Sequence, residues 1–151
     1  MKNLVLYCSI TGGTAKIAKA IAQELNCDLI NLRKNSISNI NFYEIENLFV
    51  GSGVYGGKLH GNMMALTKNE DFIEAIIKNI KTLGLFSTYA GTSESSQKAI
   101  ADFKRALPKD IQSKLTEFYC KGTLFKIFGR GRPIAEDVEK GKSWAKEILS
   151  E

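Results

Sequence analysis

The sequence predicts an α/β fold: a doubly wound, five-stranded parallel sheet with helices on both faces. Three observations predict it. Short apolar runs such as Leu4-Val5-Leu6 lack polar alternation, as strands buried on both faces do. These runs alternate with segments of helical spacing, which implies a parallel sheet. Three of the runs end in clusters of Gly, Ser and Thr, where the ligand loops of open α/β sheets lie. Right-handed crossovers then share the helices between the two faces.

The elements follow in chain order. Lys2–Cys8 is the first strand. Thr14–Leu25 is an amphipathic helix, with Ile17, Ile21 and Leu25 four apart and Lys16, Lys19 and Gln23 off the stripe. Cys27–Leu32 is a second strand. Asn35–Glu46 is polar and rich in Asn and Ser, and only a poorly defined second helix can be placed there. Asn47–Ser52 is a third strand, and Gly51–Asn62 ("GSGVYGGKLHGN") reads as a long glycine-rich loop. Asp71–Ile80 is helical, with Phe72, Ile73, Ile76, Ile77 and Ile80 on one side. Leu83–Thr88 is a fourth strand, followed by the loop "YAGTSES". Ser96–Leu107 is a helix that Pro108 ends. Leu115–Lys121 is a fifth strand. Pro133 suits the first turn of a last helix carrying Ile134, Val138, Trp144 and Ile148.

A chain of 151 residues favours one domain, over residues 1–151, with room for a core. No repeat, low-complexity segment or linker interrupts it. No apolar run approaches the ~18 residues of a membrane span. The start does not read as a signal peptide, so a cytoplasmic protein is expected. Cys8, Cys27 and Cys120 are far apart and form no CxxC, which argues against a zinc site and for reduced thiols packed in strands. The net charge of +5 fits an acidic partner, nucleic acid or a membrane surface, and is too evenly spread to choose among them. Lys121–Arg132 ("KGTLFKIFGRGR") is the one concentrated basic stretch, read as a surface loop with anchoring aromatics.

The three strand ends share one chemistry. Ser9-Ile10-Thr11-Gly12-Gly13-Thr14 follows the first strand, Ser52-Gly53-Val54-Tyr55-Gly56-Gly57 the third, and Ser87-Thr88-Tyr89-Ala90-Gly91 the fourth. Glycine lets backbone approach a ligand, hydroxyls offer hydrogen bonds, and a helix N-terminus offers free N–H groups. Together these fit a phosphate monoester. The first loop is neither the Walker pattern nor the dinucleotide GxGxxG. A Thr at a helix start also serves as a plain N-cap. His60, the only histidine, lies in "GGKLHG", where it is either plain surface or a group that meets a substrate. With Lys58 it could recognise an acidic substrate or a partner's carboxylates.

On these residues the chain resembles the flavodoxin-like family. Ser9–Thr14 matches the family's [ST]xTGxT phosphate loop, and "VGSGVYGGKLH" and "FSTYAGTSE" resemble its second and third flavin loops. "FYCKGTLF…GRGRP…EDVEKGKSWAKEI" looks like the closing strand, loop and helix. The resemblance implies strand order 2-1-3-4-5 and one non-covalent FMN. It places Ser9, Ile10, Thr11, Gly12, Gly13 and Thr14 at the phosphate. Ser52, Gly53, Val54, Tyr55, Gly56, Gly57 and Ser87, Thr88, Tyr89, Ala90, Gly91 would flank the ribityl chain and the ring. Tyr55 and Tyr89 are the loop aromatics that could stack on it. The tryptophan stacker usual in the family is missing, since Trp144 falls in the last helix as core.

The resemblance also implies an electron carrier serving a redox partner protein, here with an acidic docking surface; no nucleic acid is expected. Low-potential flavodoxins are typically acidic. The basic balance, with Lys16, Lys19, Lys58 and Lys121, implies a less negative potential for the reduced flavin anion. Two other readings stand beside the carrier. One is an FMN-dependent oxidoreductase acting on a small substrate, as protoporphyrinogen-oxidase-like and quinone-reductase-like relatives do. The other is an FMN-free scaffold that binds a partner. No general acid, base or nucleophile constellation is evident, which favours the carrier.

Overall fold

The structure is a computed structural model and describes residues 2–122 and 131–151. The elements run β1 (Asn3–Cys8), α1 (Gly13–Glu24), β2 (Asp28–Asn31), β3 (Asn47–Tyr55), β4 (Lys58–Leu59), α2 (Gly61–Met64), α3 (Glu70–Lys78), β5 (Thr82–Tyr89), α4 (Ser93–Arg105), α5 (Lys109–Gln112), β6 (Leu115–Lys121) and α6 (Ala135–Ser150). Five parallel strands lie in the order β2-β1-β3-β5-β6, and β4 pairs antiparallel with β3 off this path. Apart from that sixth strand, this is the expected 2-1-3-4-5 path. Most of the basic stretch Lys121–Arg132 lies outside the described residues.

The strands alternate side chains between two cores, as the period of two requires. Leu4, Leu6, Leu48, Val50, Leu83 and Leu85 meet Phe72, Ile76, Ile100 and Phe103 of α3 and α4. Val5, Tyr7, Phe49 and Phe86 meet Ile17 and Ile21 of α1 and Ala145 of α6. Trp144 packs on this second face, stacked on Phe118 at 5.6 Å and edge-on to Phe49 at 5.7 Å. Ile77, expected in the buried stripe of α3, is instead 55% exposed. No helix among the described residues is long and apolar enough to cross a membrane.

Two expectations need correction. The second helix does not form, and 35–46 holds only two short 3-10 turns, Ile37–Asn39 and Phe42–Glu44. The side chains of Ser36 and Asn41 accept from the N–H of Ser38 and Tyr43, and such local bonds compete with a helix. The glycine-rich loop after the third strand is mostly strand: β3 runs on to Tyr55, and Val54 and Tyr55 pair with Leu59 and Lys58. Gly56 and Gly57, at φ 60° and 77°, supply the positive φ that a two-residue hairpin turn needs at both positions.

Close packing against the middle strands leaves no room at Gly51, where a Cβ would stand 2.0 Å from the ring of the fully buried Phe86. Gly51→Ala should therefore lower unfolding stability by about 1–3 kcal/mol, the usual cost of overpacking a core. Urea denaturation of the two proteins measures this; equal midpoints would show that the ring shifts freely.

Candidate functional site

Parallel register brings the three loops together. Cys8 is level with Ser52, and Gly53 is level with Thr88, so β1, β3 and β5 end side by side. Gly12 is the N-cap of α1 at φ 91°, a left-handed conformation that favours glycine, and no side chain caps the helix there. The first-turn N–H groups of α1 have no acceptor within the helix. The turn before it is held by the Gly12 N–H donating to Ser9 Oγ at 3.0 Å. The loops Ser9–Thr14, Ser52–Gly57 and Ser87–Gly91 contain no carboxylate.

Most of the expected hydroxyls are buried and bonded within the protein. Thr14 and Thr88 share a buried hydrogen bond of 2.8 Å that ties the first loop to the third. Ser52 Oγ donates to the Gly53 carbonyl and accepts from the His60 N–H, both at 2.8 Å, so it fastens the β3–β4 hairpin. Ser87 and Ser96 hydroxyls bond to each other and tie β5 to α4. What lines the small cleft between the loops is Thr11, Gly53, Val54, Tyr55, Thr88, Tyr89, Ala90 and Gly122, around about 10 Å³. Ile10 and Gly12 are exposed, while Gly13, the first residue of α1, is buried. Gly56, in the hairpin turn, and Gly91, after Ala90, are also exposed, and Gly57 is half-buried.

Tyr55 and Tyr89 are the last residues of β3 and β5 rather than loop residues. Tyr55 folds back over Gly53, where a Cβ would lie 2.3 Å from the phenol oxygen. That oxygen accepts from the Ile10 N–H at 3.0 Å. The ring of Tyr55 meets His60 edge-on at 6.0 Å, and Tyr89 lies 6.5 Å from Tyr119. Beyond Tyr55 a larger cavity of about 610 Å³ opens between the hairpin, α2 and α4.

Two participants escaped sequence reasoning. Arg33, just after β2, donates from Nη1 to the Ser9 carbonyl at 2.9 Å. Its signal is its place at a fourth strand end, next to β1 in the sheet. Gly122, after β6, donates its N–H to the Tyr89 carbonyl at 2.7 Å, and a Cβ there would lie 2.9 Å from Thr88 Cβ. Of the expected lysines, Lys16 donates to the Pro133 carbonyl at 3.1 Å. Burial pushes the thiols of Cys8 and Cys120 up to about 11 and about 12, so both stay protonated and inert at neutral pH.

A flavodoxin-domain family model matches residues 4–126. The chain belongs to the flavodoxin domain family. It is 37% identical to an uncharacterized protein of Methanocaldococcus jannaschii, over 99% of each chain. It is 30% identical to the flavodoxin-like domain-containing protein BilS of Clostridioides difficile, over 82% of this chain and 68% of that protein. Among solved structures, a flavodoxin from the domain Archaea superposes with a TM-score of 0.69 at 20% identity, over 99% of this chain and 97% of the other.

His60 is the titrating group of this site. Burial lowers its pKa, and the Arg33 charge lowers it further. Its Nδ1 accepts from the Asn62 N–H at 3.0 Å, so the neutral ring carries its proton on Nε2. Because the folded pKa lies below the ordinary ~6.5, His60 contributes stability that is present above that value. The contribution is lost as pH falls through the folded pKa. An NMR titration of this single histidine should give a midpoint below ~6.5, and Arg33→Gln should move it upward; a midpoint that ignores Arg33 would contradict the assigned cause.

Proposed function

We propose that the chain, as a single domain of residues 1–151 working in the cytoplasm, binds FMN and carries electrons to or from a larger redox protein. The observation that carries this is the uncapped start of α1, set among three carboxylate-free loops at adjacent strand ends. Free N–H groups and a helix dipole suit a phosphate dianion, and no carboxylate in these loops repels it. Ser9, Ile10, Thr11, Gly12, Gly13 and Thr14 would hold the phosphate. Ser52–Gly57 and Ser87–Gly91 would flank the ribityl chain and the ring. The uncapped first turn of α1 fits the phosphate end, while the Ile10 N–H is held by Tyr55. At the ring end Tyr55 must swing off the Ile10 N–H, since about 10 Å³ admits no flavin ring. Bound there, FMN supplies one- or two-electron transfer, and the chain orients it and sets its electrostatic surroundings.

The net charge of +5 suits a partner with an acidic docking face. A second reading, an FMN-dependent oxidoreductase acting directly on a small molecule, is favoured by the 610 Å³ cavity that shares Tyr55 with the cleft. Turnover of a small acceptor by the isolated, FMN-loaded protein distinguishes the two.

The test is titration of the apoprotein with FMN and with riboflavin. FMN should bind about 100-fold or more tightly, the worth of two charge-assisted hydrogen bonds at about 1.5 kcal/mol each. Gly12→Val, forced into the left-handed region, should narrow that gap. Equal affinity would remove the phosphate role of Ser9–Thr14; no binding at all would favour the partner-binding scaffold.

Positive charge around the site should also stabilise the reduced flavin anion. The reduction potential should then fall toward more negative values as salt rises and screens Lys16, Arg33 and Lys58. Potentiometric titration at low and high ionic strength reads this directly, and a potential indifferent to salt would assign those cations no role.

A further inference from the structure

The cavity of about 610 Å³ is lined by Ile10, Leu59, Met64 and Ala99, with Tyr55, Lys58, His60, Gly61 and Asp102 completing it. Apolar walls with a few polar groups, at this size, are what small-molecule sites present. Its two acidic and basic side chains are not balanced against each other. Asp102 is ion-paired with Arg105, whereas Lys58 has no ion pair among the described residues. His60 is neutral at pH 7 and, with Nδ1 occupied by the Asn62 N–H, its remaining polar atom is an Nε2–H donor. The cavity therefore offers one unpaired cation and one neutral donor beside aliphatic walls and the Tyr55 ring.

We propose that this cavity is a binding site for an apolar aromatic carboxylate, with the ring system against Leu59, Met64, Ala99 and Tyr55 and the carboxylate taken by Lys58 and His60. The hairpin that builds the site is held independently of any cofactor: Ser52 fastens the His60 backbone, and the Gly56-Gly57 turn sets Lys58 opposite Tyr55. The site meets the phosphate loop through Ile10 and the cofactor cleft through Tyr55.

The test uses the full chain with 2-naphthoate and its neutral analogue 2-naphthylmethanol, by calorimetric titration with and without saturating FMN. Naphthoate should bind about ten-fold or more tightly than the alcohol, and should still bind with FMN present. Lys58→Gln, a change at an exposed position, should remove most of that difference while leaving alcohol binding intact, and Lys58→Arg should restore it. Equal affinity for acid and alcohol, an unchanged Lys58→Gln, or no binding of either compound would overturn the proposal. So would displacement of naphthoate by FMN, which would make the cavity part of the flavin site. FMN binding is read separately by its absorbance, so loss of one site is not mistaken for loss of the other.

Discussion

The candidate site depends on the parallel ladder of β1, β3 and β5. Cys8 pairs with Ser52 and Ser52 with Ser87, so three chain segments distant in sequence end side by side on neighbouring strands. These strands are buried on both faces, and their ends cannot slip by one residue without exchanging side chains between the two cores. The alternation is visible in the residues: Leu4 and Leu6 enter one core, Val5 and Tyr7 the other. The Thr14–Thr88 hydrogen bond then locks the first loop to the third across 74 residues of sequence. Where bulky rings press on the sheet, the strands carry glycine: Gly51 lies under Phe86, and Gly84 under Phe49 and Trp144.

This dependence explains what the sequence made legible. Five strands and four long helices follow from continuous apolar runs and from stripes such as Ile17-Ile21, since burial dictates both patterns. The β3–β4 hairpin was hidden because β4 is only two residues long and the segment around the turn is rich in glycine. Its pairing is decided by backbone bonds, not by an apolar pattern. The segment 35–46 was ambiguous for a related reason: Ser36 and Asn41 satisfy backbone N–H groups locally, and no periodic apolar face overrules them. At the site, sequence could name the Ser and Thr residues but not their partners. Ser52 and Ser87 turn out to serve the hairpin and α4. Arg33 and Gly122 enter only through strand order, which places β2 beside β1 and β6 beside β5.

The electrostatics of the site are arranged at one remove. Arg33 and Lys16 spend their donors on backbone carbonyls, those of Ser9 and Pro133, instead of reaching into the cleft. The groups left for an anion at the first loop are backbone N–H dipoles, which need no desolvated counter-charge. The Arg33 charge still acts through the field, adding to burial in lowering the pKa of His60.

Tyr55 is where the competing demands of the site meet, and magnitudes show that its inward pose is no obstacle. It gives up one neutral hydrogen bond from the Ile10 N–H, worth about 0.5–1.5 kcal/mol net. It also gives up one edge-on contact with His60, worth about 0.5–1.5 kcal/mol. Swinging it away thus costs about 1–3 kcal/mol. A phosphate that takes two or more charge-assisted bonds at about 1.5–3 kcal/mol each recovers that cost, and one of the donors it can recruit is the Ile10 N–H that the tyrosine releases. The phenol oxygen therefore occupies the donor that a bound anion would claim, keeping the loop in its hydrogen-bonded shape.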